Sequence, residues 1–274
     1  MRTIVHTPHS QLEAVRLAKA EAIENTSPAI ALLLLLICAD AGFTLLHLIN
    51  VETGWLRAAA MSLEADGGPA ETYQYVKEFW VVVCLVFAFV STRHAAYVSW
   101  ALVFLFLLVD DATQVHERMG AWLGQRYALP GAFGLSPNHV GELLFAGAVG
   151  VSTLAVVGAA VRRGTSQCRR ISRDLLCLIC VLALLGVVID AIHVIAYVKG
   201  SLLAQVLLVV EDGGEMVVLS ALTAYAFHVA SHAGRTHFDL WSIVRARLVR
   251  SLGQETSSTA QHGWSKDRRA KRSA

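Results

Sequence analysis

The sequence predicts an all-α, polytopic membrane helix bundle of about six transmembrane helices, with interfacial amphipathic helices at both ends. Three observations carry that reading. Of 274 residues, 55% are hydrophobic and only 16% are charged, whereas a soluble domain carries roughly 25% charged residues. Apolar runs recur at about the 20-residue length that crosses a bilayer. Basic residues gather in Arg162–Arg173 and from Arg235 onward, as they do in loops on the cytoplasmic side of a membrane.

Residues 1–27 read as a cytoplasmic interfacial helix. Ser10-Gln11-Leu12-Glu13 has the form of a capping box, and Leu12, Val15 and Ala22 follow one stripe. Residues 28–230 form the bundle, with spans at Pro28–Asn50, Lys77–Thr92, Ala95–Asp111, Asn138–Val161, Asp174–Tyr197 and Leu202–His228. Leu32–Ile37 followed by Ala39-Asp40-Ala41 has the outline of a signal peptide and cleavage site, but a polar face that continues to His47 favours a retained span. The second run is short, so its helix should begin nearer Tyr73. It shows no interior polar stripe and reads as a wall helix. Ser91-Thr92-Arg93-His94 is a tight turn. Residues 231–274 read as a basic juxtamembrane helix and a disordered tail: Trp241, Val244, Leu248 and Leu252 form an apolar stripe with Arg245, Arg247 and Arg250 between them.

Orientation follows from the basic loops. Arg93, Arg162–Arg173 and the tail fall on one side when both termini are cytoplasmic. The connections Val51–Val76, Ala112–Pro137 and Lys199-Gly200 then face outside. The run Lys266, Arg268, Arg269, Lys271, Arg272 reads as a solvated or lipid-facing end, and no nucleic-acid module is visible. The five cysteines make no extracellular disulfide framework. Cys177-x-x-Cys180 within an apolar run reads as two small buried residues.

Against this background, ionisable residues interrupt the spans, and each costs several kcal/mol on roughly any scale, which makes it a functional-site candidate. Positions three or four apart share a helix face. Asp40, Thr44 and His47 line one stripe of the first span. Asp110, Gln114 and Glu117 share a face of the third if its helix runs on past Asp111. His139 and Glu142, Asp190 and His193, and Asp212 and Glu215 are i,i+3 pairs, and Glu211 and Glu215 an i,i+4 pair. Ser136-Pro137 should cap the helix that carries His139. Glu211–Glu215 start about 15 Å below their helix start at 1.5 Å per residue, near the level of Asp40. Together these groups outline an acidic funnel that opens to the outside and closes near the midplane. Ala146, Gly150 and Thr153 continue the His139/Glu142 face, and Ala183 and Gly186 the Asp190 face. Such small residues let helices approach, so the polar faces should point inward.

Carboxylates and imidazoles are ligands of Zn, Fe and Mn. Di-iron bundles use acids with an acid-x-x-His pair from facing helices. Asp190-x-x-His193 has that form, and His139-x-x-Glu142 has it reversed. Arg57, Lys77, Arg118, Arg126 and Lys199 are the outer-side cations, in loops or at span ends, so a metal or shared protons must compensate the acids. The bland alternatives are interhelical hydrogen bonding for Asp40, ordinary interfacial histidines for His94 and His228, and a solvated helix end for His116-Glu117-Arg118.

The stretch Leu108-Val109-Asp110-Asp111-Ala112-Thr113-Gln114-Val115-His116-Glu117-Arg118-Met119-Gly120 resembles a motif of uncharacterised bacterial multipass membrane proteins. In that motif a span ends in Asp-Asp or Asp-Glu, and His-Glu follows four residues later. The resemblance implies a bacterial inner-membrane protein and no activity. Membrane metallohydrolases of the ceramidase and adiponectin-receptor type are less similar, because their clustered histidine motif is missing here.

The sequence therefore predicts a membrane-embedded metal-binding protein. Asp110, Asp111, His116, His139, Glu142, Asp190, His193, Glu211 and Glu215 are the expected ligands of a divalent metal (Zn, Fe or Mn), and Glu117 and Asp212 the expected catalytic carboxylates. The substrate would be a lipid or other hydrophobic molecule, either hydrolysed through a metal-bound water or oxidised. A cation or proton transporter is the rival reading. It would need polar residues continuing inward, but Met216-Val217-Val218-Leu219 and the leucines after Pro28 make the inner half dry. A structural assembly factor is the third reading.

Overall fold

A computed structural model of the chain describes residues 8–53, 62–63, 65, 67–197 and 202–233, and side chains from residue 28 onward within them, short of 51–53, 196–197 and 202. All of these belong to the unit Met1–Arg235. The remaining unit, Thr236–Ala274, lies outside the described residues, and the expected basic helix at Trp241–Leu252 and the tail lie there with it.

The described chain is helical and contains no strand, as the sequence predicts. Helix α1 (Pro8–Thr53) is continuous through Pro28, where the sequence predicts two separate helices. A proline inside a helix removes one ladder hydrogen bond, and membrane helices tolerate that. Helix α2 (Pro69–Thr92) starts with proline at its first turn, earlier than the expected Tyr73. A left-handed Arg93 turns the chain into α3 (Ala95–Thr113). Gln114, also left-handed at φ 51°, ends α3 and starts the amphipathic α4 (Val115–Arg126). Helix α5 (Pro137–Arg162) begins at the Ser136 cap, as expected. Helix α6 (Ser166–Ala183) runs through a π-helical turn, Leu184–Ile189, into α7 (Asp190–Tyr197). Helix α8 (Leu202–Ser231) completes the bundle.

Five segments are long and apolar enough to cross a membrane: Pro28–Asn50, Pro69–Thr92, Ala95–Thr113, Pro137–Arg162 and Ser166–Ile195. This is a multi-pass membrane protein with an all-α fold. The expected sixth span, α8, differs from these five in carrying Glu211, Asp212 and Glu215 within its first half. Packing explains how it bears them. α8 lies against α1, α2, α6 and the π-turn with α7. Met216, Leu219, Leu222, Ala224, Tyr225, Ala226 and Val229 are buried along it. A helix wrapped by neighbours does not need lipid-compatible side chains on every face.

Three details of packing depart from expectation. A Cβ added at Gly150 would meet nothing within 4 Å, so the small face of α5 is not a close helix contact. The close approach occurs instead between α4 and α5. A Cβ at Gly141 would overlap the Gly120 carbonyl, and one at Gly124 would lie 2.9 Å from the Pro137 carbonyl oxygen. Cys177 and Cys180 are exposed on the outer side of α6, because the buried face of that helix is Cys168, Ile171, Ser172 and Leu175.

A polar network closes the end of the bundle opposite α4. Tyr225 donates to Asp174 Oδ2 at 2.9 Å, and Arg173 donates to Asp174 Oδ1 at 3.1 Å. Trp100 Nε1 donates to Ser172 at 3.0 Å. These bonds tie α6 to α8 and α3. Burying such groups is tolerable only because each has a partner.

Candidate metal centre

Two of the charged residues nearest the middle of the bundle neutralise each other. Asp40 on α1 and Lys77 on α2 are 2% and 0% exposed. Lys77 Nζ lies 3.0 Å from Asp40 Oδ1. It also donates to the Met216 carbonyl at 2.8 Å and to Ser220 Oγ at 3.4 Å, and it sits 4.6 Å from the centre of the Tyr73 ring. Ser220 in turn donates to Asp40 Oδ2 at 2.6 Å. The ammonium therefore has a carboxylate, a carbonyl, a hydroxyl and a ring face around it, which is the full pairing a buried charge needs. This corrects two expectations. Lys77 is no span-end cation, and α2 is no wall helix. The cause is the early start of α2: Lys77 lies eight residues in, about 12 Å at 1.5 Å per residue. Asp40 consequently has its compensation and does not join the acids above it. His47 is also committed elsewhere, accepting from the Leu63 N–H at 3.2 Å and facing Ser62 Oγ at 3.3 Å.

Nearer the α4 end, the left-handed Gln114 folds α4 back so that His116 returns to the end of α3. Asp110 Oδ1 accepts from the His116 N–H at 2.7 Å and faces its Nδ1 at 3.3 Å. The expected shared face of Asp110, Gln114 and Glu117 does not form, because the helix stops at Thr113. Donor atoms of Asp110, Asp111 and His116 all lie within 4.8 Å of one another. His116 stands on α4, outside the apolar spans. Its hydrogen bond to Asp110 holds its pKa above the ordinary imidazole range, against the opposing effect of burial.

Behind this trio sits Glu78, which the sequence pattern does not single out. It is 1% exposed, its carboxyl lies beside that of Asp111, and no donor reaches its Oε2. Two ionised carboxylates are both acceptors, so that contact requires a proton or a cation between them. Tyr75 donates to Glu71 and, at 3.2 Å, to the Asp111 carbonyl, which fixes the start of α2 against the end of α3. The signal that could have found Glu78 is the string Glu71, Tyr75, Glu78, whose spacings of four and three residues put it on one face of a helix that begins at Pro69.

The other expected ligands approach from α5, α7 and α8. His193 Nδ1 lies 2.7 Å from Glu211 Oε2, and Asp190 is in hydrogen-bonding contact with Glu211. His139 sits on the Ser136 cap, with Nδ1 at 2.7 Å from Ser136 Oγ. His139 and His116 fall within electrostatic range of both Glu142 and Asp190. Glu215 is in range of Asp111, Asp190, Glu211 and Asp212. Its carboxyl fills the space where a Cβ would stand on Gly186. The π-turn makes that fit: the Asp190 N–H reaches the Leu185 carbonyl, five residues back, and single π-turns of this kind recur at functional sites. Glu117 is exposed on α4. Glu117 is within electrostatic range of Glu142 and His116, and Asp212 of Glu215.

Fold and site together define a multi-pass helical membrane protein with carboxylates and histidines from α2, α3, α4, α5, α7 and α8 gathered at one end. The family described as a domain of unknown function, DUF8692, matches residues 29–229, and the chain belongs to it. That match spans every acid and histidine of the cluster. No curated protein and no solved structure matches the chain.

Proposed function

We propose that the protein binds a divalent metal at Asp110, Asp111 and His116 and acts, as a metal-dependent enzyme, on a lipid or other hydrophobic substrate. The observation that carries this reading is the convergence of those three donors within 4.8 Å. Further acids lie behind them, and among the described residues the buried ammonium of Lys77 is already paired with Asp40. Mixed oxygen and nitrogen donors suit Zn, Fe or Mn. A bound divalent ion supplies Lewis-acid polarisation or an activated water at neutral pH. Asp110, already bonded to the His116 N–H, would hold that histidine in place while ligating the ion. Asp212, beside Glu215, stands in position to hold or take a proton.

The hydrophobic substrate class is supported by how bare α5 is. Only 6% of its span is buried in the bundle, and Gly147 and Gly150 have open space where a Cβ would stand. An acyl chain lying along that face would bring its polar end to His139 and Glu142. A through-membrane conduit is disfavoured by what lies below the acids. The Lys77–Asp40 pair and the fully buried Val81, Leu85, Leu219 and Leu222 fill the bundle there. The basic loops favour cytoplasmic termini by the positive-inside rule, which would put the α4 end outside, and the motif resemblance favours a bacterial inner membrane.

The test is lipid turnover. The purified full chain is placed in liposomes of bacterial total lipid extract, with Mn2+, Zn2+ or Fe2+, and the lipids are followed by mass spectrometry. A metal-dependent conversion that is lost in His116→Ala supports the proposal. A metal-loaded chain that converts no lipid overturns the enzyme reading and leaves the metal site standing.

A further inference from the structure

We infer that the centre holds two metal ions, with Asp111 bridging a first ion at Asp110 and His116 and a second at Glu78 and Glu215. The inference rests on the single-site reading above and goes beyond it in number and in ligands. Three observations support it. Glu78 is 1% exposed, so its carboxyl has no water-facing escape, and no donor reaches Oε2. Its neighbours in electrostatic range include three acids: Asp111, Glu215 and Asp110. Asp111 belongs to both groups, with His116 and Asp110 on one side and Glu78 on the other.

Charge decides between one ion and two. One divalent ion balances two of the carboxylates Glu78, Asp110, Asp111 and Glu215 and leaves two more to be neutralised by protons or by a second ion. Among the described residues, the buried ammonium of Lys77 is already paired with Asp40. A second divalent ion brings four carboxylates to neutrality. Two-metal sites that share a bridging carboxylate hold their ions roughly 3.5–4 Å apart, a spacing one carboxyl group can span. Gly186, within the π-turn, has no side chain at the place that the Glu215 carboxyl fills. His193, bonded to Glu211, would then set the far edge of the second ion's pocket.

The test uses the purified full chain in detergent, stripped and reloaded with Mn2+ alone. Bound metal is counted by mass spectrometry, and the ions are observed by electron paramagnetic resonance. Two Mn2+ per chain with an exchange-coupled signal is the expected result, falling to one uncoupled Mn2+ in Glu78→Gln. Glu215→Gln serves as the second variant should Glu78→Gln not fold. One Mn2+ in the wild type, or two without coupling, overturns the bridged pair while leaving the single-site proposal intact. No bound Mn2+ overturns both, so the two failures are told apart by count.

Discussion

Breaking the Asp40–Lys77 pair tests how the bundle tolerates charge at its centre. The perturbation is a cycle of Asp40→Asn, Lys77→Met and the double variant. Both side chains are almost fully buried, so removing either partner leaves the other charge stranded, at a cost of about 3–5 kcal/mol. Lys77→Met leaves Asp40 with the Ser220 hydroxyl as its remaining side-chain donor at 2.6 Å. Asp40→Asn leaves the ammonium with the Met216 carbonyl and Ser220. The double variant removes both charges and keeps a neutral core of similar volume. Such replacements are often neutral or stabilising, so it should lie within about 1 kcal/mol of the wild type. At roughly 2–4 °C per kcal/mol for a chain of this size, each single variant should lose about 6–20 °C in thermal unfolding in detergent. The double should recover most of that loss. Two single variants as stable as the wild type, or a double variant that loses the sum of both, would refute the reasoning.

Two further outcomes follow from helix packing and from hydrogen bonding. Gly141→Ala places a methyl against the Gly120 carbonyl. It should cost about 1–3 kcal/mol or more as overpacking, read as a lower unfolding temperature, and it should also weaken metal binding by moving α4 with His116. Tyr225→Phe removes the α8 donor to the buried Asp174. It should cost about 1–3 kcal/mol as an unsatisfied buried group, with metal content unchanged, because that network lies at the other end of the bundle.

Much of the fold is legible in the sequence because apolar runs, the Ser-Pro helix start and the Ser-Thr-Arg-His turn are local signals. The site is legible in its acids and histidines, since such residues stand out against apolar runs. Three parts are not. The left-handed Gln114 is invisible to helical phase, so the return of His116 to Asp110 reads only as adjacency. Lys77 and Glu78 look like the polar edge of a span when the helix start is set by hydropathy, and only the tertiary pairing across α1, α2 and α8 shows that they are central. The π-turn at Leu184–Ile189 has no composition signal. Its partner, Glu215, comes from a different helix and fills the space beside Gly186.

The central claim is that Asp110, Asp111 and His116 are metal ligands, and the most direct measurement is the metal retained by the purified full chain. The wild type should carry stoichiometric Zn, Fe or Mn after extensive dialysis. An Asp110→Asn/His116→Ala variant, shown by thermal unfolding to be folded, should lose the ion these two residues hold. A folded wild type with no stoichiometric metal under replete conditions, or a variant that keeps the full complement, would contradict it.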